Sequence, residues 1–201
     1  GDRYELTNGH SIYCAPIGGD GAGRAGIAYE VLATDPAVTE AGVDPGYRQG
    51  PKDLRAPDVG IGNVPDRPGW ISGAPELAVE VAGSGQDEVD LAQKIEELHR
   101  AGTRWIWVLR VLPPRRVAVH ERDRPMQTFG LDDVLTAPGV LKNPVTVRSL
   151  FEREAGHEAA LRNLLQRMGY DGLEAVRGEG REEGREEGRE EGREEGREEG
   201  R

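Results

Sequence analysis

Cysteine is almost absent from this sequence: Cys14 stands alone among 201 residues. A single thiol excludes an internal disulfide and any cysteine-rich zinc site. Ser11-Ile12-Tyr13-Cys14-Ala15 reads as a strand, which makes Cys14 a packing residue rather than a reactive one. Aromatic residues are scarce at 5%, and no apolar run approaches the roughly 18 residues that a membrane span needs. The sequence opens at Gly1 in polar residues without an apolar stretch, so a signal peptide is not expected and a cytoplasmic location is the default. His10, His99, His120 and His157 are scattered without metal-ligand spacing, and no Gly-x-Ser-x-Gly nucleophile turn is present. Positive charge is also short, with 26 Lys and Arg against 37 Asp and Glu, a net charge of −11. A protein that grips nucleic acid through phosphates presents a basic patch, so any such patch here has to be local.

What is present divides into a body and a tail. The final 23 residues, Glu179 to Arg201, contain only Gly, Glu and Arg and contribute −5 of the net charge. The body is long enough to bury a core. Its opening, Arg3 to His10, predicts a strand into an Asn8-Gly9 turn, followed by a strand over Ser11 to Ala15. Gly18 to Gly26 is glycine-rich and leads into a helical pattern at Ile27, Val31 and Leu32; lacking the Lys-Ser/Thr ending of a phosphate loop, it reads as a flexible lead-in to the helix. Pro36 to Gly50 is strand-like at best, broken by Pro45-Gly46. Leu54 to Gly62 predicts one strand with Asp58 inside it, and Asn63 to Pro75 a turn-rich loop. Leu77 to Ala82 is a nearly continuous apolar run, the mark of a strand covered on both faces. Asp87 to Ala101 predicts a helix stopped by Gly102, and strands are expected over Arg104 to Leu112 and Arg116 to Glu121. Short strands or turns continue to Val147, and a last helix runs from about Ser149 to Met168. The order implies a mixed α/β domain with a central sheet.

Glu80 is the most informative residue. It interrupts an otherwise apolar strand, where an unpaired carboxylate costs several kcal/mol, roughly, unless it binds a cation. A salt bridge at the strand end, or a solvent-facing sheet position, is the plainer alternative. Asp58, after Pro57, would by itself be a turn residue. The two together place acids on successive strands, a pattern suited to a hard cation such as Mg²⁺ or Mn²⁺. Glu76 shares the strand parity of Glu80, and the exposed strand end is its preferred place. Lys94 falls beside the Leu91, Ile95, Leu98 stripe of its helix. There it either pairs with Asp90 one turn back, worth about 0.3–0.5 kcal/mol, or reaches over the strand end to offset charge on a phosphate. Trp105 and Trp107 alternate with Ile106 and Val108 and read as strand packing rather than base-stacking residues.

Several stretches together resemble the Uma-two family of restriction-endonuclease-like proteins, within the PD-(D/E)XK nuclease superfamily. They are Tyr4-Glu5-Leu6-x-x-Gly9 with Ala15-Pro16, Ala56-Pro57-Asp58-Val59, Pro75-Glu76-Leu77-Ala78-Val79-Glu80-Val81, Asp90-x-x-x-Lys94, and Ala101-Gly102-x-x-x-Ile106-Trp107-Val108. The resemblance covers residues 3–151. It implies a restriction-endonuclease-like mixed central sheet flanked by helices, with Asp58 and Glu80 holding Mg²⁺ or Mn²⁺ and Lys94 as the catalytic lysine. In the plain motif that lysine stands two residues after the acid, where this sequence has Ala82, so it would have moved onto the next helix. Gly83-Ser84, Leu98 and Arg110 depart from residues usual in the family, and none of the three replaces a ligand.

The expectation is therefore a metal-dependent endonuclease over residues 1–151, a helical segment over 152–178 and a tail over 179–201. The substrate is nucleic acid, DNA in preference, with no membrane partner; a homodimer is left open. A catalytically inactive binding or assembly protein on the same fold is the alternative. The Gly-Arg-Glu-Glu repeat of the tail has no apolar seam and a helix-weakening glycine every fourth residue, so a disordered or weakly helical extension is expected, its partner unknown.

Overall fold

The computed structural model describes residues 4–14, 18–85 and 87–199. Arg3, Ala15 and Pro16, which belong to the strands and the motif expected at the start, lie outside them. β1 (Tyr4–Thr7) and β2 (His10–Tyr13) form a hairpin across Asn8-Gly9, whose φ values of 50° and 83° suit a turn that needs both central residues left-handed. α1 (Gly19–Ala33) precedes β3 (Ala41–Val43), β4 (Tyr47–Arg48), β5 (Leu54–Arg55), β6 (Val59–Ile61), β7 (Ile71–Ser72) and β8 (Leu77–Ala82). α2 (Glu88–Ala101) leads to β9 (Trp105–Arg110), β10 (Arg116–Glu121), β11 (Gln127–Gly130), β12 (Val134–Leu135) and β13 (Val145–Thr146). α3 (Val147–Phe151), α4 (Arg153–Arg167) and α5 (Leu173–Glu199) complete the order.

A six-stranded sheet in the order β11-β10-β9-β8-β6-β3 forms the centre. β8 and β9 run parallel, joined by α2 as the crossover that a parallel pair requires, and the other neighbours are antiparallel. β2-β1-β5-β4-β7 form a second, smaller sheet. Strand alternation sorts β8 onto two faces. Leu77, Val79 and Val81 enter the larger core with Trp105, Trp107 and Leu109, beneath Ile27, Val31 and Leu32 of α1 and Leu150 and Phe151 of α3. Ala78 and Ala82 face the other way, with Ile106 and Val108, against Leu91 and Leu98 of α2. Glu80 stands between those two alanines, on the α2 face. The two tryptophans are thus buried strand residues, as expected.

Four local expectations are corrected. The span Leu54 to Gly62 is not one strand: it breaks at Ala56-Pro57-Asp58, and its halves enter different sheets. Pro57 has no N–H to give to a ladder, which makes the break physical rather than arbitrary. The glycine-rich stretch is already helical from Gly19; Ala25 and Ala28 are buried and Arg24 donates to the Phe151 carbonyl, so tertiary packing outweighs glycine's poor propensity. The 63–75 loop contains a two-residue strand, β7, parallel to β4. The final helix is two, α3 and α4, separated by Glu152 in an extended conformation. Among the described residues, no helix is long and apolar enough to cross a membrane. α5 continues helically through the repeat to Glu199, and none of its described side chains is buried.

Candidate active site

α2 is placed by its ends. Asp87 caps it, its carboxylate accepting from the N–H groups of Val89 at 2.9 Å and Asp90 at 3.1 Å, and Gly102 ends it at φ 123°. With the ends set, Leu91 and Leu98 anchor the helix on the central sheet. Lys94 and Glu97 are buried on the same element, turned toward the inner face of the small sheet. That face carries Glu5, Thr7 and Arg55, alternate residues of β1 and β5. Charged side chains therefore meet where two sheets and a helix converge.

Lys94 is 9% exposed and Glu80 6%. The Lys94 ammonium donates to Glu80 Oε2 at 3.0 Å and to the carbonyl of Ala56 at 2.9 Å. It also lies 3.0 Å from Glu80 Oε1 and 3.1 Å from Glu5 Oε1. Glu80 Oε1, although close, accepts no aligned hydrogen bond. Asp90, the i−4 partner that helix geometry offers Lys94, instead lies 3.5 Å from Arg55. The lysine has left the local pair for a long-range one.

Asp58 sits at the strand break. The register of β6 against β8 ends at Val59 paired with Val79, so Asp58 is the first residue beyond the ladder on its strand and Glu80 the next residue along β8. There the ladder ends, and the Asp58 carboxylate takes over, accepting from the Val81 N–H at 2.6 Å. Burial raises the Asp58 pKa above the ordinary carboxylate value, while Lys94 and the Val81 N–H pull against it. Burial also pushes Glu80 up to about 8, with the charges of Asp58 and Glu5 adding to the effect and Lys94 opposing it. Burial by itself would lower Lys94, but Glu80, Glu5 and Asp58 hold its pKa above the usual value. Asp58, Glu80 and Lys94 are thus one electrostatically coupled group. Glu76, by contrast, is exposed at the strand end.

No family model matches this chain, and no curated protein does. Among solved structures, it is similar to a crystal structure described as "a putative nuclease belonging to DUF820", from Anabaena variabilis. The two share 16% identity at a TM-score of 0.64, over 74% of this chain and 89% of the other. The fold is restriction-endonuclease-like. In that fold the break between β5 and β6, the strand β8 and the helix α2 supply the residues just described.

Three members of the buried charge cluster were not singled out by the sequence reading: Glu5, Arg55 and Glu97. Arg55, fully buried, gives Nη1 to Glu5 Oε2 at 2.9 Å and Nε to Glu97 Oε2 at 2.5 Å. Glu97 in turn accepts from Thr7 Oγ1 and from Gln93 Nε2 at 3.0 Å. The available signal was Glu97, three residues after Lys94 and therefore on its helix face. Glu5 stood in the opening motif without a role assigned to it, and Arg55 gave no signal, because alternation in a short strand marks a face without saying what covers it.

A divalent cation can be tested against these residues. Among the described residues, no group of three or more His, Cys, Asp or Glu is arranged to hold a metal ion. A closed protein cage is therefore absent from the described part. What the site offers is two carboxylates, half-buried Asp58 and buried Glu80, each pushed toward the neutral form by desolvation that Lys94 offsets only in part. One Glu80 oxygen lacks a hydrogen-bond donor. Glu5, Asp58, Glu80 and Glu97 outnumber the buried cations Arg55 and Lys94 by two formal charges. Such oxygen donors fit a Mg²⁺-like ion, which keeps several waters and takes one or two carboxylates.

Proposed function

We propose that this chain is a divalent-metal-dependent endonuclease that hydrolyses phosphodiester bonds in nucleic acid, DNA in preference, with Asp58, Glu80 and Lys94 at its centre. The observation that carries the reading is the meeting of the Lys94 ammonium with Glu80, beside Asp58, at a strand break in a restriction-endonuclease-like fold. Asp58 and Glu80 would hold Mg²⁺ or Mn²⁺, which when bound polarises the phosphate and lowers the pKa of water. Lys94 is protonated throughout the physiological range and so offsets negative charge developing on the phosphate. Ala56 and two carboxylates hold its ammonium in the cleft before any substrate arrives. The lysine on α2 thereby takes up the task that Ala82, two residues past Glu80, has no group to perform.

A second reading has its own support. The ammonium is engaged by Ala56, Glu80 and Glu5 together, which also describes a structural ion-pair cluster in a non-catalytic binding or assembly protein. Incubation of the purified chain with supercoiled plasmid and Mn²⁺ or Mg²⁺ separates the two. The nuclease reading expects nicked or linear product, lost by at least about 100-fold in Lys94→Ala and Asp58→Ala. Circular dichroism should show both variants still folded. Wild type and variants equally inert across both metals and single- and double-stranded substrates would favour the binding protein. Cutting both strands of a duplex calls for two sites, so a homodimer belongs to the same proposal and is read by light scattering.

A further inference from the structure

The Lys94 ammonium is shared between two carboxylates that are held very differently. Glu80 has one oxygen without an aligned donor, and Lys94 is the only side chain seen to donate to it among the described residues. Glu5 is fixed at both oxygens. Its Oε2 accepts from Arg55 Nη1 at 2.9 Å, and its Oε1 accepts from the Ala56 N–H at 3.2 Å while facing Lys94 at 3.1 Å. Arg55 is itself immobilised, with no solvent exposure and its Nε on Glu97. Glu97 is held by Thr7 and Gln93, and Gln93 also donates to Thr7 Oγ1 at 2.7 Å. This second layer runs from β1 through β5 to α2 and does not depend on Glu80.

The proposed function creates a difficulty for the lysine. If Glu80 gives its donor-free oxygen to a divalent cation, its charge is shared with that cation, its hold on Lys94 weakens, and the ammonium gains a like charge beside it. A flexible ammonium stem in that position would leave the cleft. The contacts that the cation does not share are the Ala56 carbonyl and Glu5, and of these only Glu5 is a carboxylate.

We infer that Glu5 is a positioning residue of this site: anchored by Arg55, it retains the Lys94 ammonium in the cleft when Glu80 binds a cation. The inference rests on the reading of Asp58 and Glu80 as cation ligands. It assigns Glu5 no contact with substrate; Glu5 acts through Lys94. The buried Glu97–Arg55–Glu5 relay is then the support that keeps a helix-borne lysine aligned, a task a strand-borne lysine would not need.

Reductive methylation of the full chain, followed by peptide mass spectrometry, tests this without reference to cleavage. The chain has three lysines, and exposed Lys52 and Lys142 serve as internal standards for buried Lys94. Wild-type Lys94 should resist modification relative to Lys52 both without metal and with saturating Mn²⁺. In Glu5→Gln it should stay protected without metal, because Glu80 still holds it. With Mn²⁺ its modification should rise by at least about tenfold, the scale set by losing a hydrogen bond to a charged group. Binding of Mn²⁺ is followed separately by electron paramagnetic resonance. Mn²⁺ bound with Lys94 equally protected in Glu5→Gln overturns the inference alone. No Mn²⁺ binding by the wild type overturns the cation site and the inference with it. Should Glu5→Gln fail to fold, Glu80→Gln carries the test: Lys94 still protected supports Glu5 as its holder, and modification at the Lys52 rate refutes it.

Discussion

Raising the pH from about 5 to about 8 should weaken the folded state through Glu80. A carboxyl with an ordinary value of 4.5 is pushed up to about 8 here by burial, with Lys94 already opposing that shift. Between those limits the folded chain keeps a proton that the unfolded chain has released. Folding is then favoured at the acid end of the window and loses up to about 1.4 kcal/mol for each unit of rising pH. Integrated over the interval, the loss is at most about 5 kcal/mol, a large part of a typical domain's stability. Asp58 is shifted the same way by burial. Glu97 is held low by its bonds to Thr7 and Arg55 despite burial, so its contribution disappears only in more acid solution and leaves the window clear. The measurement is urea unfolding across this range, followed by the fluorescence of buried Trp105 and Trp107. The control is Glu80→Gln, which keeps the shape and cannot titrate. Near pH 5 the two proteins should differ little, because Glu80 is neutral there; by pH 8 the variant should be the more stable. Equal pH slopes for wild type and Glu80→Gln would refute the account of Glu80 as a carboxyl held neutral by burial.

Three further outcomes follow from the same geometry. Mn²⁺ should raise the unfolding midpoint more at about pH 8 than at about pH 6, since binding needs the ionised carboxylates; a pH-independent increment in a thermal melt would count against Asp58 and Glu80 as ligands. Gly156→Ala should destabilise the domain by about 1–2 kcal/mol in denaturant unfolding despite alanine's better helix propensity. The added Cβ would meet Ile27 Cγ2 at 2.8 Å and the Ser149 carbonyl oxygen at 2.9 Å, and a backbone atom cannot easily yield. Deleting residues 179–201 should leave the unfolding midpoint within about 1 °C of the full chain, because no described side chain of that segment is buried against the domain.

The main elements were legible because burial writes a strong pattern. A continuous apolar run is a strand covered on both faces, so β8 and β9 were visible, and α2 was marked by its stripe and by Gly102 at its end. Glu80 was conspicuous for the same reason, as the one charge in such a run. Elements held by long-range contacts were less visible. The glycines of α1 read as a flexible lead-in, since their helicity depends on the core beneath the helix. Pro57 could be seen, but not that the strand it interrupts would send its halves into separate sheets.

The sequence by itself thus determined a mixed α/β domain, a carboxylate inside an apolar strand, an acid after a proline, and a lysine beside a helix stripe. Only the tertiary structure decided who partners whom. Helix geometry offered Lys94 the nearby Asp90, a pair worth a few tenths of a kcal/mol in water. The fold gave Lys94 to Glu80 and Glu5 and placed Asp90 near Arg55. The reason is the environment: charges taken out of water interact far more strongly, so burial rather than distance along the chain selects the pairs. Burial is settled only when the two sheets close on α2.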